Sequence, residues 1–275
     1  VNDYHRAGFE QIKIYQSLKP ELIKIVTDEA HKLGMTVTGH IPTGVTVYEA
    51  IDNGFDQINH LGFVYQAMLP SNFKPANGQR PEINPEGESA KEGLAFLRQH
   101  QTVIEPTLAR GELGSHSRDK SFSTIEPGLS KAPYEFIALI GSMGVPPNPA
   151  LEERRKQRNL LANRVIMALH KNSIPIMTGT DLVVPGHSEF REIELLVRAG
   201  LTPMEALQAA TIIPARVFKM DKELGTIEAG KLADLIIVDG NPLQSISEIR
   251  KVKFVITKGQ MFDTSDLWRT VGFQP

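Results

Sequence analysis

Four residues of this chain combine suitable side-chain chemistry with suitable placement: Lys13, His40, His60 and Asp181. His40 ends the short run that begins at Met35, His60 ends the run from Phe55, and Asp181 lies just past Ile174–Thr178. The two histidines are 20 residues apart, the length of one loop, one helix and one strand, so they are expected as neighbours on one rim. Imidazole and carboxylate are the N and O donors that zinc, manganese or nickel favour, and a carboxylate beside a bound water can also move a proton. Lys13 belongs to Glu10–Tyr15, where Ile12 and Ile14 alternate with Gln11, Lys13 and Tyr15. Such period-two alternation is strand behaviour, and it aims Lys13 away from the isoleucines, toward a barrel lumen. An unpaired ammonium there is costly to desolvate. Carbamylation by carbon dioxide turns the cation into an anionic carbamate whose two oxygens can bridge two metal ions.

These residues need elements to hold them. Pro20 opens a helical pattern with Leu22, Ile23, Val26, Ala30 and Leu33 on one face, closed by Gly34. A second helix is predicted over Val45–Asn53 and closes at Gly54. Strand, helix, strand, helix, strand at this pitch is the pattern of consecutive βαβ units and a parallel sheet. In a parallel βα barrel the active site sits at the C-terminal ends of the strands, where His40, His60 and Asp181 fall. Further on, Ala90–His100 reads as helix, Thr102–Glu105 as strand, and Leu151–Lys171, Ser188–Ala199 and Pro203–Ala210 as helices. The stretches Gly62–Glu88 and Ala109–Pro149 are rich in Pro and Gly and read as long excursions over the catalytic rim, apart from a short helix near Tyr134–Ile140. From about Leu224 the texture changes to short β runs at Asp234–Val238, Val252–Thr257 and Gln260–Phe262. The expected division is therefore a barrel portion over residues 1–223 and a small β portion, part of a β-sandwich, over 224–275.

Composition narrows the partner. The 30 Lys and Arg nearly balance the 32 Asp and Glu, and no basic block recurs, so the footprint of a nucleic-acid binder is missing. No apolar run approaches the roughly 20 residues that span a bilayer. A small molecule or short peptide is the expected partner. The absence of cysteine excludes disulfides, thiolate catalysis and Cys-ligated zinc.

The stretches GFEQIKIYQ, AHKLGMTVTGHI, AIDNGFDQINHLG, IPIMTGTD, AGLTPMEALQAAT and GTIEAGKLADLIIVDGNP, in this order, resemble the amidohydrolase superfamily, in particular its imidazolonepropionase-like and prolidase-like branch. The resemblance implies a divalent-metal enzyme, with one or two zinc ions, that hydrolyses an amide or peptide bond by metal-activated water. It implies that Lys13 is the carbamylated bridge, that His40 and His60 bind the second metal, and that Asp181 binds the first and handles the water proton. The family also carries a His-x-His pair at its first barrel strand, and none occurs here. The expected fold is thus α/β: a partial (β/α)8 TIM-type barrel from about the fourth strand onward, with the small C-terminal β unit. Five or so parallel strands cannot close a barrel, and open edges predict pairing, including a homo-oligomer.

Plainer readings stand beside these. A lysine on a strand is ordinarily on a solvated face, a single histidine at a strand end can be a satisfied rim residue, and Asp181 can serve a turn or helix cap. His187 reads equally as a pocket residue or as a cap of the helix that Ser188 begins. Tyr65 can reach over the site or pack beneath the loop. Together with Arg110, these two are the candidate holds on a substrate carboxylate, the expected substrate being a dipeptide or an N-acyl amino acid. A lactone or cyclic-amide hydrolase on the same site, or a non-catalytic fragment, are the alternatives.

Overall fold

The computed structural model describes the chain apart from Asn72, residues 74–80 and Leu182. It is a mixed α/β protein that divides into two compact units: Val1–Pro106 with Arg164–Met177, and Thr107–Asn163 with Thr178–Pro275. The boundary expected near residue 224 falls inside the second unit.

The first unit is built of βα repeats. A short helix α1 (Asn2–Arg6) precedes strand β1 (Gln11–Ile14), a helix that the sequence pattern did not announce. A 3-10 turn at Pro20–Leu22 leads into α2 (Ile23–Lys32), followed by β2 (Thr36–Gly39), α3 (Val47–Asp52), β3 (Gln57–Asn59) and α4 (Leu61–Val64). A second 3-10 turn, Tyr65–Met68, then α5 (Glu88–Gln99) and β4 (Val103–Glu105) follow. Thr46 caps α3 in a reciprocal box: its hydroxyl accepts from the Glu49 amide while the Glu49 carboxylate accepts from the Thr46 amide. Strands β1 and β2 pair in parallel, as do β3 and β4. The Asp56 amide donates to the Val37 carbonyl, linking the entry of β3 to β2. The expected strand at Ile174–Thr178 is reduced to one parallel bridge between Ile104 and Ile176. No closed barrel forms among the described residues, whose strands make only two- and three-stranded sheets. The core is aliphatic, centred on Ile23, Val37, Ile58, Leu97, Ile104, Ile166 and Leu169, each side chain contributing about 1.5–3 kcal/mol by burial.

The second unit is helical with an antiparallel sheet. In the stretch expected to be irregular, α6 (Leu108–Gly114) forms in addition to the expected short helix, α7 (Tyr134–Ser142). Helix α8 (Pro149–Lys171) contributes to both units. Helices α9 (Ser188–Ala199), α10 (Pro203–Ala209) and α11 (Ile212–Val217) come next. The tail forms β5 (Leu235–Val238), β6 (Val252–Thr257) and β7 (Gln260–Asp263) in the order β5-β6-β7, then α12 (Thr264–Thr270). A core cluster of Leu113, Phe122, Leu129, Ile140, Val183, Val184 and Phe273 lies in this unit, with Trp268 packed against it. Among the described residues no helix is long and apolar enough to cross a membrane.

Candidate metal centre

In the first unit the ends of β2 and β3 bring His40 and His60 together. Gly39 ends β2 at φ 143°, and a Cβ there would run into the backbone of Ile14 on β1, so only glycine allows the strands to approach this closely. The His40 amide then donates to the Ile14 carbonyl at 3.0 Å, and the His60 amide to the Glu105 carbonyl at 2.8 Å. His60 is held at φ 65° and ψ 121°, outside the regions ordinary L residues prefer. Such a conformation costs on the order of 1–3 kcal/mol and is concentrated at functional sites. The strain coincides with a specific contact: the two Nε2 atoms lie 2.7 Å apart. The imidazole centroids are 4.5 Å apart, with Tyr15 against the His40 ring at 4.3 Å and Phe63 at 5.4 Å.

Lys13 pairs with Thr38 across the β1–β2 ladder. By strand alternation it emerges on the face that carries Thr38 and, two residues on, His40. Its residue is exposed, not desolvated as the sequence pattern implied, because burial on β1 is concentrated at Ile14. Nearby, Thr38 Oγ1 and Asn59 Oδ1 are buried without a hydrogen-bond partner among the described residues.

Asp181 belongs to the second unit, where it sits at φ 48° with its Oδ2 3.5 Å from Arg110 Nε. Arg110 is carried by α6, whose start is fixed by a residue the sequence pattern did not single out. Glu192, fully buried on α9, accepts from the amides of Leu108 at 2.8 Å and Ala109 at 2.7 Å. It thereby satisfies two amides that a helix start leaves without intrahelical partners, and does so across more than 80 residues of sequence. Only a helical, negatively charged residue facing the right way marks it in the sequence.

His187 occupies the N-cap position of α9 but makes no side-chain cap bond. Its ring is buried and stacks on Trp268 at 4.3 Å with an interplanar angle of 6°. A Cβ on Gly128 would collide with that ring. Burial, then the positive charges of Arg250 and Lys131, pushes its pKa down to about 4. Tyr65 is half-buried in the first unit and lines a cleft next to α4. His31 is exposed and paired with Asp56 at 2.9 Å, whose carboxylate also accepts from the Val37 amide. His116 is buried against Phe122.

Among the described residues no three His, Asp or Glu side chains converge into one ready cluster. The two imidazoles nonetheless fit a divalent ion. Nitrogens bound at ~2 Å with a tetrahedral angle stand roughly 3.3 Å apart, a small ring movement from the 2.7 Å seen here.

The sequence of residues 12–262 matches the model of the Amidohydrolase family. The chain belongs to that family. Members of the amidohydrolase family generally use divalent metals. The chain is 36% identical to ochratoxinase of Aspergillus niger over 244 residues, 88% of this chain and 40% of that protein. It is 37% identical to an adenine deaminase of Mesorhizobium japonicum over 86 residues, 31% of this chain and 14% of that one. Its fold resembles a Xaa-Pro dipeptidase crystallised with methionine in its active site. That likeness has a TM-score of 0.60 and 22% identity, and covers 95% of this chain and 56% of the dipeptidase. The chain thus spans well under two thirds of each of these proteins.

Proposed function

We propose that this chain is the larger part of the catalytic site of a metal-dependent amide hydrolase acting on short peptides or N-acyl amino acids. The observation that carries the reading is the convergence of His40 and His60 at adjacent strand ends, with Nε2 atoms 2.7 Å apart and His60 in a costly backbone conformation. In this reading His40, His60, Asp181 and a carbamylated Lys13 hold one or two divalent ions, zinc being the expected metal. Such an ion acidifies a water and polarises the scissile carbonyl. Lys13 lies exposed on β1, opposite Thr38 of the strand that ends before His40. Asp181 takes the proton of the attacking water and hands it to the leaving amine as the C–N bond breaks, so the acid product gains the hydroxyl and the amine gains the proton. Arg110, with its Nε 3.5 Å from Asp181 Oδ2, orients that carboxylate and is the proposed hold on the substrate carboxylate. His187, stacked in the interior of its unit, is not proposed as a direct hold on substrate.

Amide hydrolysis is favoured over deamination of a purine because the likeness to ochratoxinase runs over 88% of this chain and that to adenine deaminase over 31%. The test uses the full-length protein: metal content by mass spectrometry, then turnover of a panel of dipeptides and N-acyl amino acids, with lactones, cyclic amides and adenine alongside. We expect bound zinc and amide cleavage, both lost in His60→Ala. Turnover confined to lactones or cyclic amides, or ammonia released from adenine alone, would replace the substrate class. A protein that binds no metal and turns over none of these is a binding module.

A further inference from the structure

Beside the second histidine the first unit holds a cleft of about 320 Å³ whose walls include Tyr48, Tyr65, Leu69, Phe73, Pro81 and Ile83. Every described lining residue is uncharged. Gln66 is committed elsewhere, since its side-chain carbonyl accepts from the Val47 amide at 2.9 Å and steadies the start of α3. Burial, and secondarily the charge of Glu92, raises the pKa of Tyr48, so its phenol stays neutral across the physiological range. From the described lining a charged group entering here would lose its hydration without gaining a partner charge.

The cleft is close to the histidine pair along the chain. Gly62, on its wall, is two residues beyond His60, a span of roughly 7 Å at most. Thr46, also a lining residue, caps the helix that follows the strand ending before His40. In βα units a strand's C-terminal end and the start of the next helix lie on one rim, so Thr46 and Gly62 both rise from the rim that carries His40 and His60. Helix α5 packs closely against the 3-10 turn Tyr65–Met68 at Gly93, where a Cβ would run into the Ala67 carbonyl and lie 3.0 Å from the Tyr48 hydroxyl.

We propose that this cleft is the subsite that receives an apolar group of the substrate, aromatic or branched, and thereby sets its specificity; the inference rests on the reading of the chain as an amide hydrolase. A volume near the lower end of ligand pockets suits one side chain or acyl group better than a longer peptide segment. The same chemistry could come from the acyl side or the amine side of the amide, and two series of probes separate them: acetyl-, hexanoyl- and benzoylglycine, and N-acetylated Gly, Leu, Phe and Glu. Binding is measured calorimetrically on the full-length protein carrying Asp181→Asn, to suppress turnover, and turnover on the unaltered protein. In one series the benzoyl or Phe probe should bind about tenfold tighter than its acetyl or Gly counterpart, with N-acetyl-Glu weakest. Leu69→Trp should abolish that gain while leaving the smallest probes unchanged, and Ile83→Ala should shift the optimum toward the larger groups. Flat affinity across both series, no binding by any probe, or a gain indifferent to both substitutions overturns the proposal. Turnover without an apolar preference removes this subsite and leaves the hydrolase reading intact. An apolar binding preference with no turnover of any amide does the reverse.

Discussion

The ends of β2 and β3 and the arginine–glutamate network of the second unit treat polar side chains in opposite ways. In the second unit charges answer one another. Arg191 makes a bidentate pair with Glu112 at 2.8 and 3.0 Å. Arg250 does the same with Glu194 at 2.6 and 3.1 Å, and also reaches the buried Glu126 at 2.8 Å. Glu112 and Glu194 are held below the ordinary carboxylate range by these arginines against the opposing effect of burial. Around His40 and His60 two nitrogens of the same kind meet, and nearby buried oxygens on Thr38 and Asn59 lack hydrogen-bond partners among the described residues. A saturated charge network serves the fold, whereas two imidazoles at strand ends, joined by a hydrogen bond in which one donates and the other accepts, are suited to exchange that bond for a guest.

This contrast can be broken experimentally, and the largest effect is expected in the saturated network. Arg250→Met leaves the buried Glu126 without its guanidinium, while Glu194 keeps Arg191 at 3.0 Å, and should cost about 3–5 kcal/mol of stability. Chemical denaturation of the full-length protein would measure it, and a loss below 1 kcal/mol would mean the network is incidental. The next effect is that of pH. His187 stays neutral in the fold down to about pH 4, whereas its unfolded counterpart takes a proton near 6.5. Stability from this residue is therefore complete above pH 6.5 and falls as pH drops toward 4, by up to ~3 kcal/mol. The carboxylates with lowered values act in the same direction but at lower pH, below their ordinary range. His187→Phe, which keeps an aromatic ring against Trp268, should flatten the slope between pH 6.5 and 4; an unchanged slope would assign it elsewhere. A smaller effect is expected at the cap of α10, where Thr202 and Glu205 form a reciprocal box. Thr202→Ala should cost about 1 kcal/mol, read as a lowered Tm with metal content unaltered. Smallest of all, His60→Gly relieves the backbone at φ 65°. It should leave stability within ~1 kcal/mol of the original while removing bound metal. A large destabilisation there would make His60 a structural residue and erase the contrast between the two regions.

Much of the secondary structure of both units was legible from the sequence. The expected strand Val252–Thr257 and helix Ser188–Ala199 have the bounds found in the structure, and the strand ends preceding His40 and His60 lie where alternation and glycine stops put them. These features are local: a strand or helix of a few residues declares itself through the period of its apolar side chains and the turn residues beside it. The short helices α1, α4 and α6 escaped because one or two turns carry too little periodicity to rise above the loops around them. The reduction of Ile174–Thr178 to a single bridge has another cause, since an apolar run becomes a ladder strand only if a neighbour supplies matching hydrogen bonds.

For the site, the sequence by itself determined which residues carry usable chemistry and that two histidines end neighbouring strands. The tertiary structure alone decided that their Nε2 atoms meet, that Lys13 is exposed, and that His187 lies against Trp268. It also decided that Glu192 secures the helix bearing Arg110 and that Arg250 reaches Glu126 across 124 residues. The physical reason is range. Backbone preference and hydrophobic period act over a few residues and are written in the neighbours. A buried carboxylate's partner, or the burial of an imidazole, depends on which distant segments packing brings alongside, and no local pattern encodes that choice.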